Sequence, residues 1–246
     1  MKIVVIGGTG LIGSKLVTRL GEHGHQAVPA APNTGVNTIT GEGVEEVLQD
    51  ANVVVDVSNS PSFADKDVLE FFRTSTTNLM EAAGAAGVGH YVALSVVGAD
   101  RLPESGYLRA KVAQEELIKG SGLPYSIVHA TQFFEFAGGI ADSATVEGTV
   151  RLSSASVQPI AAAEVAAAVG RTAAGAPING TIEVAGPEVF ALDQWISTVL
   201  TARSDPRTVV TDSQARYFGS LPKSELLPGR DAQLAQTRLS EWLSRN

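Results

Sequence analysis

Ile3, Val4, Val5 and Ile6 form an unbroken apolar run that stops at Gly7 and Gly8. Such a run suits a parallel strand buried on both faces. Behind the glycines, Leu11, Ile12, Leu16, Val17 and Leu20 recur at helical spacing, so the pattern predicts a strand, a glycine turn and an amphipathic helix. The alternation continues. Strands are predicted at 26–28, ending at Pro29, and at 53–57, 91–94 and 125–128; helices are predicted at 43–49, 65–86 and 107–119. Five such strands predict an α/β fold, a Rossmann-like doubly wound parallel sheet.

Beyond about residue 130 the rhythm changes. Short strands are predicted at 149–152, 157–160 and 181–184, an alanine-rich helix at 161–171, and further helices at 192–202 and 234–243. We expect residues 1–136 to form an NAD(P)-binding core. Residues 137–246 are expected to complete the sheet and to build a small C-terminal substrate-binding lobe. The stretch 211–231 holds Gly219, Pro222, Pro228 and Gly229 with few apolar residues, and is a candidate lid over the site.

The glycines at 7, 10 and 13 suit a tight turn, a close backbone approach to a pyrophosphate and close packing of the next helix, whose N–H groups attract the anion. Gly7, Gly8, Thr9, Gly10, Leu11, Ile12 and Gly13 are therefore the candidate phosphate cradle. Ser58 and Asn59, at the carboxyl end of the third predicted strand, are expected to line the same crevice. An NAD enzyme usually places an acid after its second strand, on the ribose 2′-hydroxyl. Here stand Ala30, Ala31, Pro32, Asn33, Thr34 and Gly35. With no carboxylate to repel a 2′-phosphate, and no Arg to pair with one, the expectation is NADP(H) in preference to NAD(H), with Asn33 and Thr34 as neutral donors.

Composition narrows the partners. Among 246 residues there is no cysteine, which excludes disulfides and thiolate chemistry and is compatible with a reducing cytoplasm. A net charge of −8 argues against nucleic acid as a partner. No run reaches the length of a membrane span, and the apolar run after Met1 and Lys2 is too short for a secretion signal. His23, His25, His90 and His129 lack metal-ligand spacing, so no metal is expected, and the first three read as loop residues. His129 ends a strand facing the proposed cleft. Asp56, inside an apolar strand, is expected to act in structural hydrogen bonding. A soluble cytoplasmic protein working on a small molecule, as monomer or homodimer, is the expectation.

Tyr107 and Lys111 lie four apart on one face of a predicted helix. An ammonium beside a phenol would lower its pKa and make Tyr107 a usable proton donor. Ser95, at the end of the fourth strand, stands where a hydroxyl would hold a substrate carbonyl. Together they describe carbonyl reduction: hydride from a nicotinamide, a proton from Tyr107, orientation by Ser95, and support of the phenolate and the nicotinamide ribose by Lys111. Phe133, Phe134 and Phe136, with Tyr217 and Phe218, either form a flat pocket for an aromatic or quinone substrate or fill a core.

Residues 7–13, Ser95 and the Tyr107-x-x-x-Lys111 pair resemble the short-chain dehydrogenase/reductase superfamily in its extended or atypical branch. The run Thr76-Thr77-Asn78-Leu79-Met80-Glu81-Ala82-Ala83 is similar to a helix of that branch. More narrowly, Gly7-Gly8-Thr9-Gly10, Ala130-Thr131-Gln132-Phe133-Phe134-Glu135 and Val184-Ala185-Gly186-Pro187-Glu188 resemble the NmrA-like group of NAD(P)-binding proteins, which includes NADPH-dependent quinone reductases. The resemblance implies a cofactor lying across the carboxyl ends of the strands, and adds Thr131 to its contacts. Many NmrA-like proteins lack the Tyr and act as redox sensors, so Tyr107 favours turnover. A non-catalytic dinucleotide sensor and an epimerase or dehydratase using NAD are the alternatives.

Overall fold

The computed structural model describes residues 1–222 and 226–245. Seven parallel strands form its central sheet: β1 (Lys2–Ile6), β2 (Gln26–Ala30), β3 (Val53–Asp56), β4 (His90–Val96), β5 (Tyr125–Ala130), β6 (Gly180–Ala185) and β7 (Gln233–Leu234). Their spatial order is β2-β1-β3-β4-β5-β6-β7. The chain thus leaves β1 first to one side and then to the other, so the carboxyl ends of β1 and β3 flank a topological switch point.

Alternation along β1 divides its side chains between two cores. Ile3 and Val5 pack with Ile12, Leu16 and Leu20 of α1 (Leu11–Glu22), and with Val165 and Val169 of the later helix Ala162–Ala174. Val4 and Ile6 pack on the other face with Leu79 and Ala83 of α2 (Asp65–Ala85) and Ile118 of α3 (Gly106–Gly120). We label Ala162–Ala174 α4 and Leu192–Ala202 α5. The second strand runs through Pro29 rather than ending there. Gln26 donates to Met1 and Ala30 accepts from Gly7, which turns the even residues of β2 inward and the nitrogen of Pro29 to the open edge, where no donor is needed.

A third core lies beyond the sheet, where Phe134, Trp195, Val199, Leu200, Tyr217 and Trp242 pack together. It includes a short helix, Ala137–Ser143, and a strand, Thr208–Thr211, that the hydrophobic pattern does not predict. The helix expected at 234–243 is mostly absent. Gln233 and Leu234 instead pair with Val184 and Ala185, and only Leu239–Leu243 is helical. Carboxylates hold the intervening amides: Glu164 accepts from Gln236 and Thr237, and Glu188 from Leu239. The strand expected at 157–160 is confined to Ser156–Val157. His90 opens β4 and is buried, which corrects its reading as a loop residue.

Helix α3 meets the sheet with a polar stripe. Lys111, Gln114 and Glu115 are all buried on its inward face. Glu115 Oε1 accepts from Ser95 Oγ on β4 (2.6 Å) and meets His129 Nε2 on β5 (2.7 Å), while Oε2 meets Lys119 Nζ (3.0 Å). Burial alone would raise this carboxyl's pKa. The hydrogen bond and charge of His129, with the bonds from Ser95 and Lys119, outweigh it and lower the pKa to about 2.

Two consequences are measurable. A Cβ at Gly13 would lie 2.1 Å from the Gly7 carbonyl oxygen, so Gly13→Ala should cost roughly 1–3 kcal/mol in urea unfolding as backbone is pushed from backbone. A carboxyl lowered in the folded state contributes stability that is complete above its ordinary pKa and is lost as pH falls toward the folded value. For Glu115 that window runs from about 4.5 down to about 2 and is worth roughly 3 kcal/mol. Unfolding curves of Glu115→Gln should therefore fall less steeply with acid than those of the wild type, and superimposable acid limbs would remove this account.

Candidate functional site: a dinucleotide crevice and its tyrosine

Gly7 leaves β1 with a φ of +76°, which lets the chain turn back sharply. Its N–H and that of Gly8 donate to Ala30, and its carbonyl accepts from Gly10 at 3.0 Å. Helix α1 begins at Leu11 with Gly10 as its cap, no capping side chain and no acidic residue in its first turn. The orphan N–H groups of that turn are left for an outside acceptor. Ile12 offers only backbone, since its side chain is buried. Cβ atoms at Gly7 and Gly8 would strike the backbone of Ser58 and Pro29 at 2.9 and 2.6 Å, whereas one at Gly10 would meet only the Gly7 oxygen, at 3.3 Å. The cradle is closed below and open above Gly10, which fits a pyrophosphate resting there.

The expected flanks of the crevice are partly assembled. Thr9 Oγ1 donates to Asn33 Oδ1 at 3.1 Å, bringing the residue after β2 to the glycine turn. Thr34 behaves differently from expectation. Its hydroxyl is spent on its own loop, accepting from Ala31 N and donating to Ala31 O, both at 2.9 Å, so it is not a free donor for a cofactor. Ser58 Oγ donates to Asp56 Oδ1 at 2.6 Å, and Asn59 caps Ser60 N while staying exposed. Thr131 is also corrected: it is buried, and its hydroxyl donates to Gln158 O at 2.6 Å.

Tyr107, Ser95 and Lys111 come near one end of the sheet without bonding to one another. Lys111 Nζ donates to Leu94 O at 2.9 Å and to Gln114 Oε1, and lies 4.3 Å from the centre of the Phe72 ring. Burial lowers its pKa to about 8, against the pull of Asp56 and Glu115. Ser95 gives its hydrogen to Glu115. No hydrogen bond to the Tyr107 hydroxyl is formed among the described residues. Burial pushes that phenol up to about 12, the reverse of the lowering expected from a neighbouring ammonium. The ammonium is turned toward the sheet, where the Leu94 carbonyl and Gln114 satisfy it.

Rings surround Tyr107 instead. Phe218 stacks on it at 5.4 Å and 18°, Phe63 lies at 5.6 Å, and Phe72 meets it edge-on at 6.2 Å. Tyr217 adjoins Phe218 at 4.7 Å, and its pKa is raised by burial and then by Tyr107. Phe134 has no exposed surface and packs against Trp242, so it is a core residue and not a pocket wall. Phe133 is buried too, stacking on Phe136.

Of the groups beneath the site, sequence reasoning found Asp56 but missed Tyr91, Gln114 and Glu115. Asp56 Oδ2 accepts from Gln114 Nε2 (2.9 Å) and the Tyr91 hydroxyl (3.2 Å), bearing out its structural role. Tyr107, Lys111, Gln114 and Glu115 share one helical face, a spacing that would have revealed the stripe. Phe63 carried no such signal. No group of His, Cys, Asp or Glu among the described residues could hold a metal ion, and no helix among them is long and apolar enough to cross a membrane.

The fold recurs in known proteins. The chain is 27% identical over 149 residues to the photosystem II assembly factor Ycf39 of Cyanophora paradoxa, covering 55% of this chain and 46% of that one. It therefore spans about half the length of the curated relatives it matches. Among solved structures it resembles an NADPH-dependent quinone oxidoreductase from Escherichia coli, with a TM-score of 0.74, 19% identity and coverage of 99% of this chain and 98% of that one. It also resembles the dTDP-glucose 4,6-dehydratase DesIV of Streptomyces venezuelae solved with NAD, with a TM-score of 0.79, 16% identity and coverage of 100% and 95%. At such identities these structures support the parallel-sheet fold alone. The family model described as NAD(P)H-binding matches residues 7–172, from the glycine turn through most of α4, and the chain belongs to that NAD(P)H-binding family.

Proposed function

We propose that the protein is an NAD(P)H-dependent oxidoreductase that reduces a small carbonyl or quinone substrate, as a cytoplasmic monomer or homodimer. The observation that carries this reading is Tyr107, a neutral phenol whose hydroxyl is unclaimed by the described residues. It stands at the first turn of α3, which the chain enters from the carboxyl end of β4, the same side of the sheet as the glycine cradle. Preference for NADP(H) rests on the acid-free run 30–35 and on Asn33 beside Thr9.

Gly7, Gly8, Gly10 and the first-turn amides of Leu11, Ile12 and Gly13 hold the pyrophosphate, with Thr9, Asn33, Ser58 and Asn59 along the crevice. When bound, the nicotinamide supplies the hydride. Tyr107 supplies the proton to the substrate oxygen. Reduction of a carbonyl leaves an alkoxide, far more basic than a phenol, so a Tyr107 with a pKa of about 12 remains a competent donor and stays protonated at neutral pH. Ser95 contributes an oxygen lone pair, because its hydrogen is on Glu115. It therefore suits a substrate hydroxyl better than a substrate carbonyl. Lys111 acts from below, fixing the backbone of β4 through Leu94 O.

One observation favours a second reading, a dinucleotide-responsive regulator without turnover. Ser95 and Lys111 are both tied to other partners, and neither supports the Tyr107 hydroxyl. The similarity to an assembly factor points the same way.

Initial rates of NADPH and NADH oxidation against aldehydes, ketones and quinones separate the two. A reductase turns over at least one of them with NADPH ahead of NADH, while binding without oxidation across the panel supports the regulator. Tyr107→Phe should keep NADPH affinity and lower carbonyl turnover by ~10²–10⁴-fold, the usual worth of a positioned proton donor. Gly10→Val, whose Cβ would meet the Gly7 oxygen at 3.3 Å, should cost less stability than Gly13→Ala, where that distance is 2.1 Å, yet weaken NADPH binding by more than about tenfold, one decade being about 1.4 kcal/mol. Normal affinity in that variant would dismiss the cradle.

A further inference from the structure

The ring that covers Tyr107 belongs to a turn poorly suited to carrying it. Tyr217 and Ser220 exchange both backbone hydrogen bonds, at 2.8 and 3.1 Å, and the two residues between them, Phe218 and Gly219, have φ of +48° and +81°. This is the two-residue hairpin loop in which both central positions are left-handed, and which favours Asn-Gly. A bulky side chain at the first of them is a strained choice. The turn is nevertheless well anchored. Tyr217 and Ser220 are buried, and Arg216 Nη1 donates to Gly219 O at 2.7 Å. Phe218 itself is 42% exposed, and its ring lies nearly parallel to that of Tyr107.

The strain of the left-handed backbone offsets part of what the Phe218 ring gains from Tyr107 and Tyr217. The seat of Phe218 on Tyr107 is therefore weaker than its ring contacts alone would make it, and an outside ring that stacks on Tyr107 can compete for it. Phe63, 58% exposed and 5.6 Å from Tyr107, is a second aromatic surface beside it. A saturated ring or an open chain would displace Phe218 without recovering the flat contact.

We propose that Phe218 is a displaceable specificity residue, and that the substrate is a flat conjugated ring bearing a carbonyl, which replaces the Phe218 ring against Tyr107. The inference rests on the reductase reading only in taking the ligand as a substrate. In this arrangement the Tyr107 face orients the ring while its hydroxyl is at the edge, within reach of a ring-borne oxygen. Phe218 returns when the product leaves, closing the apolar mouth to water.

The test uses the NADP⁺-loaded protein, so that nothing turns over, and two ketones of similar size: planar 2-acetonaphthone and saturated 2-acetyldecalin. Calorimetric titration of the wild type should show tighter binding of the planar ketone. Phe218→Gly relieves the backbone strain and removes the competing ring, and should tighten binding of 2-acetonaphthone by roughly 2–10-fold, the worth of one aromatic pair. Unchanged or weaker binding in Phe218→Gly, equal binding of both ketones to the wild type, or no binding of the planar ketone to either protein would overturn the proposal. The reductase reading is judged separately with NADPH: 2-acetonaphthone that binds as expected but is never reduced keeps the role of Phe218 and removes the reaction. Reduction with unchanged affinity in Phe218→Gly does the opposite.

Discussion

The carbonyl oxygen of Gly7 is the atom on which the rest of the molecule turns. It accepts the Gly10 amide and lies where a side chain at residue 13 would begin. The first helix is thereby drawn against the first strand more closely than any side chain would permit. Helix α4 then rests on α1 with Gly170 facing Leu16, where a Cβ would stand 3.2 Å from the leucine methyl. Close packing of backbone on one face of the sheet aims the free amides of α1 at the switch point. Anion binding is thus a product of how tightly two elements pack, and no charged side chain is required for it.

The nucleotide-binding half was legible because its strands are buried on both faces and read as continuous apolar runs. Residues 3–6 and 53–56 could hardly be anything else. Beyond residue 136 that signal fails for identifiable reasons. Ala137–Ser143 contains two glycines and little apolar periodicity, and is helical because Ala137, Ile140 and Ala141 fill the third core. Gln233 and Leu234 are exposed and look helical in composition, yet become a strand because β6 offers an unpaired edge. The tyrosine–lysine pair was correctly placed on one helical face, but spacing alone does not say which partner an ammonium will choose. A carbonyl on the adjacent strand and the Gln114 amide outbid the phenol, being inside the fold where an unsatisfied cation is costly. Part of the suggested lid, residues 223–225, lies outside the described residues.

Beneath the aromatic mouth run two polar networks that share helix α3. One joins Asp56, Ser58, Tyr91, Gln114 and Lys111; the other joins Glu115, Ser95, His129 and Lys119. Both are well hydrogen-bonded, the condition under which buried polar groups fix a unique arrangement. Their effect is to hold these polar groups among their own partners, leaving rings as the neighbours of Tyr107. The first network also ends on Ser58, whose backbone forces residue 7 to be glycine. The cradle and the tyrosine helix are thus registered to one another through Asp56.

Pro29 forces a glycine at position 8 by its proximity, and it turns a nitrogen with no hydrogen to the outer edge of β2. A second chain approaching that edge finds a gap in the ladder. At the opposite edge the last strand is two residues long and covers only Val184 and Ala185 of β6. A wide parallel sheet is in principle a template for open-ended stacking of copies, and here the β2 margin is blunted by its proline. The residue that shapes the nucleotide turn is therefore also one that guards the protein against aggregation.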